Sequence, residues 1–144
     1  MARCRGTTAP PDESSRGARW CPRCCTDRRN RWKADVRAAH HRLAGTPAFL
    51  PDEGKHYSEA WSEAHRIFHR TLLEGCGNPV LLETFDRMWT ASELARRWST
   101  DRNPGRDGAE EHRRLEEAAL ARDADTAAEL LTHHLTLTAD ALRE

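Results

Sequence analysis

Long apolar runs are missing from this 144-residue sequence. A membrane-spanning helix needs about 18 or more consecutive apolar residues, and no stretch supplies them. No charged start followed by an apolar run marks a secretory signal. No segment alternates apolar and polar residues with the period of two that a half-buried strand shows. We therefore expect a soluble, cytoplasmic, all-α protein with no membrane partner.

Net charge is also missing, because 23 basic residues balance 23 acidic ones. The balance is uneven along the chain: residues 1–33 hold nine Lys and Arg against three Asp and Glu, and the remainder is acidic. Affinity for nucleic acid comes mainly from neutralising phosphates, so an acidic body is a poor DNA-binding surface. Any DNA contact is expected from the basic tail or from a segment outside this chain.

The five cysteines do not form a usable disulfide framework. Four of them fall within the first 25 residues, the total is odd, and no secretory signal accompanies them. Cys21, Cys24 and Cys25 offer a Cys-x-x-Cys pair, but the second pair of a zinc ribbon is absent. We interpret them as reduced thiols and leave the role of this cluster open.

Apolar residues recur at helical spacing after a Gly- and Pro-rich start. Residues 1–28 have too few aliphatic side chains to form a core, so we predict a disordered basic tail there and one domain over 29–144. Asn78 followed by Pro79 is typical of a helix start, and Asp123 or Asp125 can cap the last helix. The pattern predicts an antiparallel bundle of about five helices, near residues 29–44, 57–75, 78–99, 108–121 and 123–142.

Four of the eight histidines can face one point inside such a bundle. His65 and His69 are four residues apart on the second helix, so both imidazoles leave the same face. His112 and His134 each lie three residues from an apolar position expected to point inward. Converging nitrogens from three helices suit Zn, Ni, Cu or Fe better than Mg or Ca. His133 should point about 100° away from His134, and His40, His41 and His56 have no useful spacing.

Five ordered segments resemble the FCD domain, the C-terminal ligand-binding domain of the FadR-like branch of GntR transcription regulators. They include the Phe-His, Gly-Asn and Glu-His motifs, a connector between helices and a final histidine, and they are residues 65–73, 77–82, 111–113, 118–128 and 134–135.

The resemblance implies a helical bundle that binds a divalent metal and an effector, and so controls a DNA-binding partner domain. Four nitrogens would leave one or two coordination positions of the ion to water, which a carboxylate oxygen can replace, so we expect a small organic acid as the effector. Carried onto this sequence, its metal ligands are His65, His69, His112 and His134. The family commonly has Asp where His65 stands, and a fourth imidazole favours Zn or Ni over Mn. The resemblance also implies a homodimer and no enzymatic activity.

One departure concerns domain organisation. Members of the family carry a winged helix-turn-helix before the FCD domain, and residues 1–28 cannot supply its three apolar-patterned helices. We expect an FCD-like domain that is incomplete on its N-terminal side and contacts DNA only through a missing helix-turn-helix domain.

Two other functions stay open at this point. The histidines could serve a metal-dependent hydrolase, for which Glu111 is the nearest acid/base candidate although helix geometry turns it away from His112. Alternatively, the chain could be a bare helical dimerisation module with incidental histidines. The core or a pocket wall is expected to hold Trp61, Phe68, Phe85, Trp89 and Trp98. Solvated faces are expected for the pairs Arg96-Arg97 and Arg113-Arg114, although either pair could place a guanidinium at a pocket for a carboxylate.

Overall fold

The computed structural model describes residues 22–49, 57–92, 96 and 105–140. Within these ranges the chain is helical, apart from short connections and one isolated antiparallel bridge between Phe49 and Tyr57. The all-α prediction is confirmed. None of the described helices is long and apolar enough to cross a membrane. The five described helices are α1 (Pro22–Gly45), α2 (Glu59–Glu74), α3 (Pro79–Ala91), α4 (Gly108–Ala121) and α5 (Ala124–Asp140).

Polar side chains fix where four of the helices begin. The Ser58 hydroxyl accepts a hydrogen bond from the Trp61 amide at the start of α2. Asn78 accepts from the amides of Val80 and Leu81, with Pro79 in the first turn of α3, as the sequence predicted. Each of these side chains satisfies an amide that a helix start leaves without a partner. Asp107 and Asp123 do the same for α4 and α5.

Two helix boundaries differ from the prediction. α1 begins at Pro22, seven residues earlier than expected, so residues 22–28 are helical; the remainder of the predicted disordered tail lies outside the described residues. Proline suits the first turn of a helix, which the composition argument overlooked. α3 ends at Ala91, with Ser92 as its C-cap, and does not continue to near residue 99 as predicted. The Ser92 hydroxyl bonds the carbonyls of Met88 and Trp89, a local competition that disfavours continued helix.

The core lies where α1 packs against α2 and α4. α5 then packs on α4, and α3 packs on α2. The fully buried residues Phe68, Leu115 and Val36 come from α2, α4 and α1 respectively. This packing turns the inner faces of α2, α4 and α5 toward one another. The remaining buried apolar residues are Ala39, Leu43, Ala64, Ala118 and Ala119.

An indole ring caps the end of α2. Trp32 on α1 donates its Nε1–H to the Thr71 carbonyl at 2.7 Å. That carbonyl is one of the last four of α2, which have no partner within the helix. A Cβ at Gly75 would lie 2.7 Å from Cε2 and Cζ2 of the indole. Gly75 is therefore required by close approach of the ring, since its φ of −58° is ordinary for any residue.

Gly75→Ala is expected to destabilise the protein by about 1–3 kcal/mol, because the rigid indole must move and its bond to Thr71 is lost. Urea denaturation followed by circular dichroism measures the free energy of unfolding. Gly45→Ala is the matched control, since nothing lies within 4 Å of a Cβ there. Equal stability of the two variants would contradict this role for Trp32.

Candidate metal centre and adjoining cavity

The four histidines singled out from the sequence come together inside the bundle. His65 and His69 lie one turn apart on α2, His112 lies on α4 and His134 on α5. One ring nitrogen from each lies within 4.8 Å of the others, and all four residues are buried. Four neutral nitrogen donors around one point form a group that could hold a metal ion.

The ring nitrogens face one another at short range. Nε2 of His65 lies 2.9 Å from Nε2 of His69 and 2.9 Å from Nε2 of His112. Trp89 presents its ring to His65 at a centroid separation of 5.1 Å, and Phe68 packs edge-on against His112 at 5.6 Å. Aromatic rings of α2 and α3 thus pack directly against the cluster.

The ion pair between Glu111 and Arg106 orients His134, the fourth histidine of the cluster. His134 Nδ1 lies 2.7 Å from Glu111 Oε2 and 3.0 Å from Arg106 Nη2. Because the ionised carboxylate can only accept, the shorter contact favours the tautomer with the proton on Nδ1, which leaves Nε2 without one. Arg106 in turn holds Glu111 with two bonds of 2.8 and 2.7 Å, and donates to the His134 carbonyl and the Thr138 hydroxyl. A carboxylate on the outer nitrogen of a ligating imidazole is the usual support of a metal site.

Burial keeps the imidazoles neutral. It lowers the pKa of His65 and His69 well below the ordinary value, and neighbouring histidines add to the effect. Burial also lowers the pKa of His112 to about 3, and that of His134, where Arg106 lowers it further. For Glu111, burial would raise the pKa, but the bond and charge of Arg106 and the bond from His134 outweigh it and lower the pKa. At neutral pH all four imidazoles are therefore uncharged, and each can offer a lone pair to a metal ion.

The donor set fits a divalent transition metal. His65 Nε2 lies 2.9 Å from both His69 Nε2 and His112 Nε2. A nitrogen of a neutral imidazole carries either one proton or one lone pair, so hydrogen bonds alone satisfy these two contacts poorly. Nitrogens bound side by side to one ion at about 2.1 Å would lie about 3 Å apart, close to these separations. His65 Nδ1 is also buried without a partner among the described residues. The residues present therefore fit the ion that the sequence predicted.

A cavity of about 440 Å³ adjoins the histidines. Three of the four, His65, His112 and His134, form part of its wall. Its size is within the range of small-molecule sites in proteins. The described residues that line it elsewhere are His40, Leu43, Ala44, Thr46, Ala48, Phe49, Tyr57, Trp61, Arg96, Arg106, Asp107, Gly108, Ala109 and Thr138.

Sequence reasoning missed two supporting residues and misjudged two others. Glu111 is part of the Glu-His motif, but its bond to His134 forms only when α4 packs on α5 and could not be predicted from the motif. No sequence pattern indicated a role for Arg106, which lies in the loop before α4. Arg96 was expected on a solvated face, yet it lies 3.8 Å over the Trp89 ring and lines the cavity. His40, which had no useful spacing, pairs with Glu116 at 2.6 Å.

The other sequence predictions have mixed outcomes. His133 and Arg113 are exposed, as expected. Cys76 is a free, exposed cysteine. Trp98 and His56 lie outside the described residues, and so does Cys21 of the cysteine cluster; the side chains of Cys24 and Cys25 are not described either.

Comparison with known proteins gives one family match and two close relatives. A model of the FCD domain matches residues 18–137. The uncharacterized HTH-type transcriptional regulator BphR of Paraburkholderia xenovorans (strain LB400) is 31% identical over 114 residues, which is 78% of this chain and 46% of the relative. The HTH-type transcriptional repressor GlaR of Escherichia coli (strain K12) is 31% identical over 109 residues, 72% of this chain and 49% of the relative. No solved structure gives a significant match.

Proposed function

Because this chain belongs to the FCD domain family, we propose that it is an effector-sensing domain that binds a divalent transition metal and a small organic acid. The family match confirms the resemblance on which the sequence analysis relied. In this proposal, effector binding controls how a helix-turn-helix domain, outside this chain, binds DNA. The observation that carries the proposal is a cluster of four buried histidines that opens onto a cavity.

The relatives support a regulatory role and no catalytic one. Both are named as HTH-type regulators of transcription, and this chain spans about half the length of each. The prediction that the chain is not an enzyme agrees with these comparisons. The homodimer and the cytoplasmic location stay predictions.

We infer Zn or Ni as the resident ion from the ligand types. All four candidate ligands are imidazoles, and the cluster includes no carboxylate from the described residues. Nitrogen donors favour Zn and Ni over Mn, which prefers oxygen. A bound ion would supply a positive charge and a coordination position for the carboxylate of the effector. Glu111 and Arg106 would hold His134 in place while the effector enters from the cavity.

Positive charge beside the cavity suits an acid. Arg96 and Arg106 both line it, and their charges contribute to the lowered pKa of His69. Asp107 is the carboxylate among the described lining residues, and it already accepts from the Glu110 amide at the start of α4. Because Arg106 is paired with Glu111, the excess positive charge that would favour an anion in the cavity is that of the bound metal ion.

We expect small organic acids to stabilise the metal-loaded protein and not the stripped protein. A ligand that binds only the folded state adds about 2.7 kcal/mol at a hundredfold excess over its Kd, or several degrees in Tm for a chain of this size. A thermal-shift screen of citrate, malate, lactate, gluconate and benzoate, with and without chelator, tests this. Equal shifts in both forms, or none in either, would remove the metal from recognition and favour the bare dimerisation module.

The hydrolase alternative has little support in the site. Its one acid/base candidate, Glu111, is held by two bonds from Arg106 and by His134, and its lowered pKa makes it a weak base. It contacts the outer nitrogen of His134 and not the centre of the cluster. A general base must reach the water that it deprotonates, so this arrangement favours a sensor.

A further inference from the structure

A continuous stack of rings forms one wall of the cavity. The Phe49 and Tyr57 rings lie 5.1 Å apart with a 17° interplanar angle, and Tyr57 and Trp61 lie 4.1 Å apart at 14°. Trp61 then contacts His65 at 4.6 Å. We call Phe49, Tyr57 and Trp61 the aromatic wall. It runs from Phe49, which is 42% exposed, to a histidine of the candidate metal centre.

Four of the described polar side chains that line the cavity bond to other groups of the protein. The Thr46 hydroxyl donates to the Arg42 carbonyl at 2.7 Å, and the Thr138 hydroxyl donates to the His134 carbonyl at 3.2 Å while accepting from Arg106. His40 is paired with Glu116. Arg106 donates to three groups of α4 and α5, which are the Glu111 carboxylate, the Thr138 hydroxyl and the His134 carbonyl.

The aromatic wall and the internal bonds of the polar side chains favour some carboxylic acids over others as ligands of the cavity. A hydroxyl moved from water against the face of an aromatic ring loses its hydrogen bonds, which costs affinity. An apolar body makes no such demand, and burying it against aromatic side chains is favourable. Ring edges also carry partial positive charge, which attracts the face of an aromatic ligand or a carboxylate oxygen.

We propose that the effector is a carboxylate with an aromatic or similarly apolar ring, and not a polyhydroxylated acid. The carboxylate would lie toward the histidine cluster and the ring against the aromatic wall. A cavity of about 440 Å³ has room for one or two rings. This inference rests on the proposed function, since it names the class of acid for the same cavity.

Isothermal titration of the zinc-loaded protein tests the inference with acids that share a carboxylate and differ in the body. The probes are benzoate, cyclohexanecarboxylate and its tetrahydroxylated analogue quinate, with acetate as the smallest acid. We expect benzoate and cyclohexanecarboxylate to bind at least tenfold more tightly than quinate. Quinate binding as tightly as cyclohexanecarboxylate would overturn the inference and leave the proposed function standing. If none of these acids binds, and citrate, malate, lactate and gluconate give no shift either, the proposed function itself fails.

A substitution in the aromatic wall distinguishes binding of the ligand's ring from binding of its carboxylate at the metal. Tyr57→Leu is expected to weaken benzoate about three- to tenfold, the scale of an aromatic pair, and to change acetate less than twofold. Phe85→Leu is the control, since Phe85 is a half-buried aromatic residue that contacts Trp89 outside the lining. Zinc content and Tm are measured for both variants to confirm that the site is intact. An equal loss of benzoate and acetate in Tyr57→Leu, or equal losses of benzoate in both variants, would overturn the assignment of the aromatic wall.

Discussion

Zinc or nickel content is expected to fall from about one ion per chain to well below that in a His69→Ala variant, measured by elemental analysis after reconstitution and desalting. His69 lies at the centre of the proposed site: it is 3% exposed and its Nε2 lies 2.9 Å from Nε2 of His65. Removing one imidazole leaves three candidate ligands and opens a void beside Trp89, whose ring lies 5.9 Å away. His134→Ala should have the same effect.

The control for these variants is His133→Ala, which removes an imidazole from the exposed residue next to His134 and should leave metal content unchanged. Glu111→Gln should give an intermediate result, about a 10- to 100-fold weaker affinity, because the outer nitrogen of His134 loses a charged acceptor. Unchanged metal content in both His69→Ala and His134→Ala would show that the site assignment is wrong. A metal lost equally from His133→Ala would indicate nonspecific binding.

Local spacing was enough to predict the two histidines that share a helix. His65 and His69 lie on one face because a helix repeats every 3.6 residues, and this holds wherever the helix packs. Their encounter with His112 and His134 is different, because it depends on α4 and α5 presenting the correct faces. The apolar neighbours Leu115 and Leu131 gave that direction, and the structure places His112 and His134 beside the α2 pair.

The support for the site could not be predicted, since it depends on tertiary contacts. Arg106 lies in the connection before α4 and reaches His134 and Thr138, 28 and 32 residues away, across the packed pair of helices. No periodicity marks a loop arginine for this role. No sequence pattern assigns a role to the indole nitrogen of Trp32 either, although it caps a helix end 39 residues away.

The same limit applies to the extent of the helices. Composition predicted disorder through residue 28, but the helix begins at Pro22, where a proline in the first turn is a start signal that composition does not register. Apolar spacing also continued past Ala91, while a single hydroxyl at Ser92 marks the end of α3. Periodicity therefore indicated which faces are buried more reliably than where each helix stops.

Metal-free protein is expected to lose stability steeply as the pH falls below about 6.5, the ordinary value for histidine. In the folded protein, burial lowers the pKa of all four clustered histidines, to about 3 for His112. The unfolded chain therefore binds more protons than the folded one between these values, and the free energy of unfolding must rise with pH. Stability is fully present above pH 6.5 and declines as the pH falls toward the folded pKa. Each histidine contributes up to about 1.4 kcal/mol per pH unit.

Urea denaturation of chelator-stripped protein at pH 7.5, 6.5, 5.5 and 4.5 measures this slope. His112→Asn should flatten it, because one of the four groups with a lowered pKa is gone, whereas His133→Asn should leave it unchanged, since His133 is exposed. Glu111 adds a loss in the same direction at lower pH: its lowered pKa means that its contribution is present above the ordinary value for glutamate and is lost as it protonates. A free energy of unfolding that stays constant between pH 7.5 and 5.5 would show that the histidines are not buried as a neutral group. Because a neutral imidazole is also what binds a metal, such a result would weaken the metal assignment as well.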